Sequence, residues 1–236
     1  MFVIKMANLN IKIDNKYEYT KELCKDYIIQ IDKDKIDLEV CASEEEIEKE
    51  CESCSYEYSK EYCEATCIYR NICNKIIINN RFFLHASLVE VDGESYAFAA
   101  KSGTGKSTHT FLWLEYFKEK ARIINGDKPI LEIKEGKLIA YGTPWCGKEG
   151  FNVNTSSPIK SICFIERGEN NELSKIEEVE IIDRLIQQLE LPREKEEIEK
   201  LFDMLDWVIK NIPFYLLKCN ISKEAVEVAY NGMNKE

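Results

Sequence analysis

The sequence predicts a mixed α/β fold, and three observations carry that reading. Short apolar runs with strand character alternate with stretches of helical periodicity along most of the chain. An Asp92-Gly93 pair joins two of the strand-like runs as a hairpin signal. A glycine-rich loop, residues 101–105, sits between a strand-like and a helix-like segment.

Taken in order, residues 2–13 alternate loosely and read as strand, and residues 36–40 as a second short strand. Ser43 with Glu46 three positions later has the form of a capping box and opens a helix through about residue 51. Residues 58–77 read as a longer helix closed by the turn formers Asn79 and Asn80. Residues 82–91 read as one mostly buried strand and 95–100 as its return after the hairpin. A helix over 106–118 follows the loop. Residues 123–124, 130–133 and 138–141 are further strands, with Glu135-Gly136 as a turn, and 159–166 is another strand. Helices at about 181–189 and 194–211, a strand at 214–219 and a helix over 222–233 complete the chain. The change of character near Arg81 divides it into an N-terminal α+β region, 1–80, and a core, 81–236.

The chain has 236 residues, 44% of them hydrophobic, enough to fill a sizeable core. Its formal charge of −11 argues against nucleic acid as a partner, because phosphate backbones call for a basic face. No apolar run reaches the roughly 20 residues that span a bilayer, and the first fifteen residues lack a continuous signal-peptide core. The expectation is a cytoplasmic protein without a membrane partner, with a homo-oligomer left open. Six of the ten cysteines lie between Cys41 and Cys73. Reduced thiols are the expected state; a four-thiolate zinc site from Cys51, Cys54, Cys63 and Cys67 is the alternative, with a spacing that fits no familiar zinc module.

Ser102-Gly103-Thr104-Gly105-Lys106-Ser107-Thr108 carries the most chemistry. Glycines let successive backbone N–H groups curl around phosphate oxygens, Lys106 supplies positive charge for the β- and γ-phosphates, and the Ser107 hydroxyl suits Mg²⁺. The helix that follows aims its positive end at the same anion. The full pattern has glycine where Ala100 stands, a change that negative φ tolerates. Asp127, the end of the strand after the loop's helix, is the candidate second metal ligand, against a plain turn aspartate in Asn125-Gly126-Asp127. Of the two histidines, His109 reads as structural or solvent-facing. His85 lies in the strand paired with the loop's own strand, near the phosphates, although a lone histidine there is commonly a core residue. Gly142-Thr143-Pro144-Trp145-Cys146-Gly147-Lys148 is turn chemistry first, with Lys148 a second candidate phosphate contact.

The run Leu84 to Gly93, the loop Ser102 to Thr108 and Ile123-Ile124-Asn125-Gly126-Asp127 together resemble the HPr kinase/phosphorylase family, whose nucleotide-binding architecture is similar to that of phosphoenolpyruvate carboxykinases. The stretch from Gly142 to Lys148 and the ending Pro213 to Asn220 are similar to a small HPr-kinase-like subfamily that accompanies peptide-maturation genes. The resemblance implies a mixed-sheet P-loop core of that type, with Lys106 and Ser107 on phosphate and Mg²⁺ and His85 as the active-site histidine. In HPr kinases two adjacent aspartates end the acidic strand. The second matches Asp127 and the first, the usual general base, falls on Gly126. His85 or Asp127 is left to take that role. The chain lacks the family's longer C-terminal signature, so the resemblance does not point to HPr as acceptor.

The expected activity is ATP- and Mg²⁺-dependent transfer of the γ-phosphoryl group to a serine hydroxyl of a peptide or small protein, with His85, Lys106 and Asp127 catalytic. A small-metabolite kinase and a nucleotide-binding regulator without turnover are the alternatives.

Overall fold

The computed structural model describes residues 1–53 and 57–235. The N-terminal region is a four-stranded sheet under three helices. β1 (Phe2–Met6) and β2 (Leu9–Asp14) form an antiparallel hairpin. The single strand expected over 2–13 is thus two, turned at Ala7 and Asn8, which adopt left-handed φ of 49° and 61°. An Ala-Asn turn carries no glycine and leaves little trace in sequence. β3 (Ile28–Ile29) joins β1, and β4 (Leu38–Cys41) runs parallel to β2.

α1 (Glu18–Leu23), α2 (Glu44–Ser53) and α3 (Lys60–Ile76) pack on this sheet through Leu23, Ile47, and Ile68 with Ile72 respectively. α2 opens with the expected capping box, Ser43 N donating to Glu46 Oε2 (2.9 Å) and Glu46 N to Ser43 Oγ (3.1 Å). α1 and β3 have no local signal. The start of α1 is satisfied by the buried carboxylate of Glu64 on α3, which accepts from Tyr17 N (3.2 Å) and Thr20 Oγ1 (3.0 Å).

The larger sheet comprises β5 (Arg81–Phe83), β6 (Ala86–Val91), β7 (Glu94–Ala99), β8 (Ala121–Asn125), β9 (Ile130–Lys134), β10 (Lys137–Tyr141), β11 (Ser156–Arg167), β12 (Glu172–Lys175) and β13 (Phe214–Cys219). Its path runs β5-β9-β10-β11-β7-β6-β8, with β13 on β11 and β12 on β13. β11 is parallel to β7 and β13, and its first residues are antiparallel to β10, so the sheet is mixed. α4 (Lys106–Phe117) and α7 (Lys223–Met233) cover one face through Trp113, Val226 and Ala229. α5 (Glu178–Ile186) and α6 (Lys195–Asn211) cover the other through Leu185, Leu201 and Val208. The N-terminal core is continuous with Phe83, Ile130, Tyr141 and Trp145 of the larger unit.

The expected strand over 82–91 is broken at Leu84 and His85. Up to Phe83 the chain pairs with β9; from Ala86 it pairs with β7 and β8. At the switch Leu84 N donates to Pro129 O (3.1 Å) and His85 N to Gln188 O (2.8 Å). Every backbone donor is thus satisfied while the ladder changes partner. Since β6 is antiparallel to both β7 and β8, its first residues lie beside their last ones. Ala86 stands opposite Ala99 and Leu88 opposite Asn125, so His85, the glycine-rich loop and Asp127 share one edge of the sheet.

The described cysteines are thiols rather than disulfides, and Cys51 Sγ lies 2.8 Å from Cys63 Sγ. Among the described residues no group of three His, Cys, Asp or Glu side chains is arranged to hold a metal. Cys54, the fourth thiol of the zinc pattern, lies outside them. Among the described residues no helix is long and apolar enough to cross a membrane.

Candidate functional site

The loop leaves β7 through buried Ala100, which has no positive φ, so alanine meets no strain where the full pattern has glycine. Gly103 (φ 77°) and Gly105 (φ 125°) do need left-handed backbone, which sets the curl of Ser102 to Gly105. Arg167, at the end of β11, donates from Nη2 to Gly103 O (2.6 Å) and from Nε to Thr104 O (3.1 Å). Two loop carbonyls are thereby held away from any anion. α4 then begins at Lys106, and its first N–H groups have no partner within the helix. Ser107 sits in that first turn. Gly103 and Thr104 separate two cavities: one of about 690 Å³ toward α5, which Ser102 also lines, and one of about 420 Å³ toward α4, which Thr108 lines.

Lys106, His85 and Asp127 converge on one carboxylate oxygen. Lys106 Nζ is 3.1 Å and His85 Nε2 3.0 Å from Asp127 Oδ1. Burial alone would raise the Asp127 pKa, but the hydrogen bond from His85 and the charge of Lys106 outweigh it and hold the group at about 2. Burial in turn lowers the Lys106 pKa, and Asp127 opposes that shift. An ionised carboxylate beside a glycine-rich loop is a donor that suits Mg²⁺, and the Ser107 hydroxyl at the start of α4 is a second oxygen donor; this donor set fits that ion.

The pH consequence has a definite sign. The folded pKa lies below the unfolded one, so this ionic contact stabilises the fold above about pH 4. The contribution is lost as pH falls toward 2 and amounts to roughly 2 kcal/mol. Urea unfolding at stepped pH should show the gap between the wild type and Asp127→Asn narrowing by about that much between pH 6 and 2. A gap independent of pH would disprove the coupling.

Asp127 is aimed by Asn125, a fully buried side chain that the sequence suggests only as turn material. Its Oδ1 accepts from Asp127 N (2.9 Å) and Lys128 N (2.6 Å), while its Nδ2 donates to Thr143 O (3.0 Å). The same residue thus fixes the Asp127 turn and ties it to the 142–148 loop. That approach is close: a Cβ on Gly126 would stand 2.7 Å from the Cys146 carbonyl oxygen. The space an aspartate would need at 126 is filled by main chain.

Trp145 is buried, not presented to solvent, and its Nε1 donates to Ala65 O of α3 (3.2 Å). Its ring packs with Tyr69 and Phe83 at centroid distances of 5.8 and 6.4 Å. Lys148 is exposed and lines, together with Asp127, a third cavity of about 330 Å³ between α3 and this loop. It is not among the residues lining the two cavities beside the glycine-rich loop. His109 is buried under α4, accepts from Trp113 Nε1 (2.9 Å), and is pushed by burial to a pKa of about 4. It is a neutral structural residue. Arg167 and Asn125, which hold the loop and the Asp127 turn, are not singled out by the sequence: an arginine ending a strand and an asparagine in a turn have many ordinary explanations.

No protein-family model and no curated protein matches the chain. Among solved structures, the Hpr(Ser) kinase/phosphatase from Coxiella burnetii is similar at 11% identity. The match covers 64% of this chain and 95% of that one, with a TM-score of 0.39. At this identity and score the site has to be read from its own geometry.

Proposed function

We propose that the protein is an ATP- and Mg²⁺-dependent kinase that phosphorylates a serine hydroxyl of a peptide or small protein. The observation that carries this reading is the meeting of Lys106, His85 and Asp127 on one oxygen at the mouth of a glycine-rich loop. Loop amides and the start of α4 bind the phosphates, and Lys106 offsets charge on the transferring group. When bound, Mg²⁺ would be held by Ser107 and Asp127 and would supply positive charge against that developing on the phosphates.

With Nε2–H donated to Asp127, His85 keeps Nδ1 as an acceptor. It is therefore the candidate base, oriented as a histidine is by a carboxylate in acyl-transfer enzymes. Asp127, at a pKa of about 2, is too weak a base for that task and suits the metal and the histidine instead. In the step itself the serine oxygen forms a bond to the γ-phosphorus and its proton passes to His85 Nδ1. The bond from that phosphorus to the bridging oxygen breaks, and its electron pair leaves with ADP.

Incubation with γ-labelled ATP, Mg²⁺ and panels of serine peptides and hydroxylated metabolites tests the reading. Label on a serine is the expected result; tight ATP binding with no ADP released in any panel would overturn it in favour of a regulator. Arg167 gives a separate prediction. Because it is exposed and holds only loop carbonyls, Arg167→Ala should leave the melting temperature nearly unchanged. It should weaken ATP affinity about tenfold in calorimetric titration.

A further inference from the structure

The third cavity is where the N-terminal region meets the catalytic edge, and the proposed phosphate chemistry leaves it unused. Asp127 lines it, which brings its inner end to one of the three converging side chains; His85 and Lys106 lie beyond its lining. At about 330 Å³ it lies at the small end of ligand sites, large enough for one bulky side chain and too small for a nucleotide. Its walls are aromatic and come from both halves of the chain: Tyr69 and Trp145 are buried, and Tyr62 of α3 and Tyr19 of α1 stand at the mouth. Tyr19, Tyr58 and Tyr62 are 40%, 44% and 42% exposed, and their rings form one continuous patch, with centroids 4.6 Å apart for Tyr58–Tyr62 and 6.4 Å for Tyr19–Tyr62.

Charge at the cavity is positive in an acidic protein. Among the described residues Lys128 and Lys148 line it against one lining carboxylate, Asp127, which is already paired with Lys106 and His85, while Glu149 lies just outside beside Gly147. Lys128 Nζ lies 4.0 Å over the Tyr69 ring, a contact that fixes the ammonium without neutralising it.

We propose that this cavity is the acceptor site and that it selects an acidic peptide segment with an aromatic side chain close to the phosphorylated serine. The ring enters between Tyr62 and Trp145, a carboxylate faces Lys128 and Lys148, and the hydroxyl is delivered to His85 and Asp127. The N-terminal region is then the specificity element of the enzyme. This assignment rests on the phosphoryl-transfer reading for its chemistry but not for its binding.

The test uses the full-length protein with Mg²⁺ and a non-hydrolysable ATP analogue. The probes are a serine peptide bearing nearby Phe and Asp, and its Phe→Ala and Asp→Lys counterparts. Calorimetry should show the first peptide binding at least tenfold more tightly than either counterpart. Tyr19→Ala and Tyr62→Ala, both at exposed positions, should each weaken it about tenfold, with affinity for the analogue unchanged. In turnover assays with ATP the same variants should raise the acceptor KM more than they lower kcat. Equal binding of the three peptides, or indifference to both tyrosine variants, overturns the acceptor site even if serine is phosphorylated. Peptide binding that follows this pattern with no phosphate transferred upholds the site and overturns the kinase reading.

Discussion

Lys106→Ala should lower the proposed phosphate transfer by about three orders of magnitude, the size expected when a charge-neutralising group is removed from a phosphoryl-transfer site. The ammonium has little freedom: its side chain is 11% exposed and its nitrogen is 3.1 Å from Asp127 Oδ1. Its removal therefore acts twice. The transferring group loses its cation, and Asp127 loses one of the two contacts that hold it ionised. The fold should survive, because Asp127 keeps the bond to His85 and a quarter of its surface remains in water. Circular dichroism should show an unaltered spectrum and a modest fall in melting temperature. Lys106→Arg should fail nearly as badly, since a planar guanidinium cannot take the position of a compact ammonium between the loop and Asp127. Undiminished transfer by the alanine variant would remove the loop from the mechanism.

The legibility of this site in the sequence follows from the range of the interactions that build it. The loop was readable because its chemistry is local: glycines for left-handed backbone, then lysine and a hydroxyl at the start of a helix. His85 and Asp127 could be selected because a hairpin and a strand end imply proximity through two short connections. The break at His85 was invisible, since the backbone partners that permit it are Pro129 and Gln188, far along the chain. α1 was missed for the same reason, its start being held by Glu64 rather than by a neighbour. Trp145 and Lys148 belong to one turn-like motif in the sequence. The structure separates them into a buried anchor on α3 and an exposed wall of the third cavity. Only the docking of the N-terminal region distinguishes the two.

Gly126→Asp should destabilise the protein by about 2–4 kcal/mol and lower the proposed activity, although it would create the paired aspartates of the family the sequence resembles. The reason is distance, not backbone conformation, for Gly126 has no positive φ. A Cβ there would meet the Cys146 carbonyl oxygen at 2.7 Å and the Phe151 oxygen at 3.5 Å, both main-chain atoms. Neither can retreat cheaply. Gly126 N donates to Phe151 O (2.9 Å), Val153 N to Ile124 O (3.0 Å), and Trp145 is tied to α3. Relief would require the 142–148 loop to separate from the turn that aims Asp127, which moves the proposed metal ligand and the acceptor cavity together. Gly126→Ala should cost nearly as much in urea denaturation, since the collision begins at Cβ. A stable Gly126→Asp with faster transfer would show that the site has room for a second carboxylate and that His85 is not the base. Loss of stability in both variants would show that the close main-chain contact at Gly126 excludes any side chain there, so that no carboxylate at this position is available to the proposed chemistry.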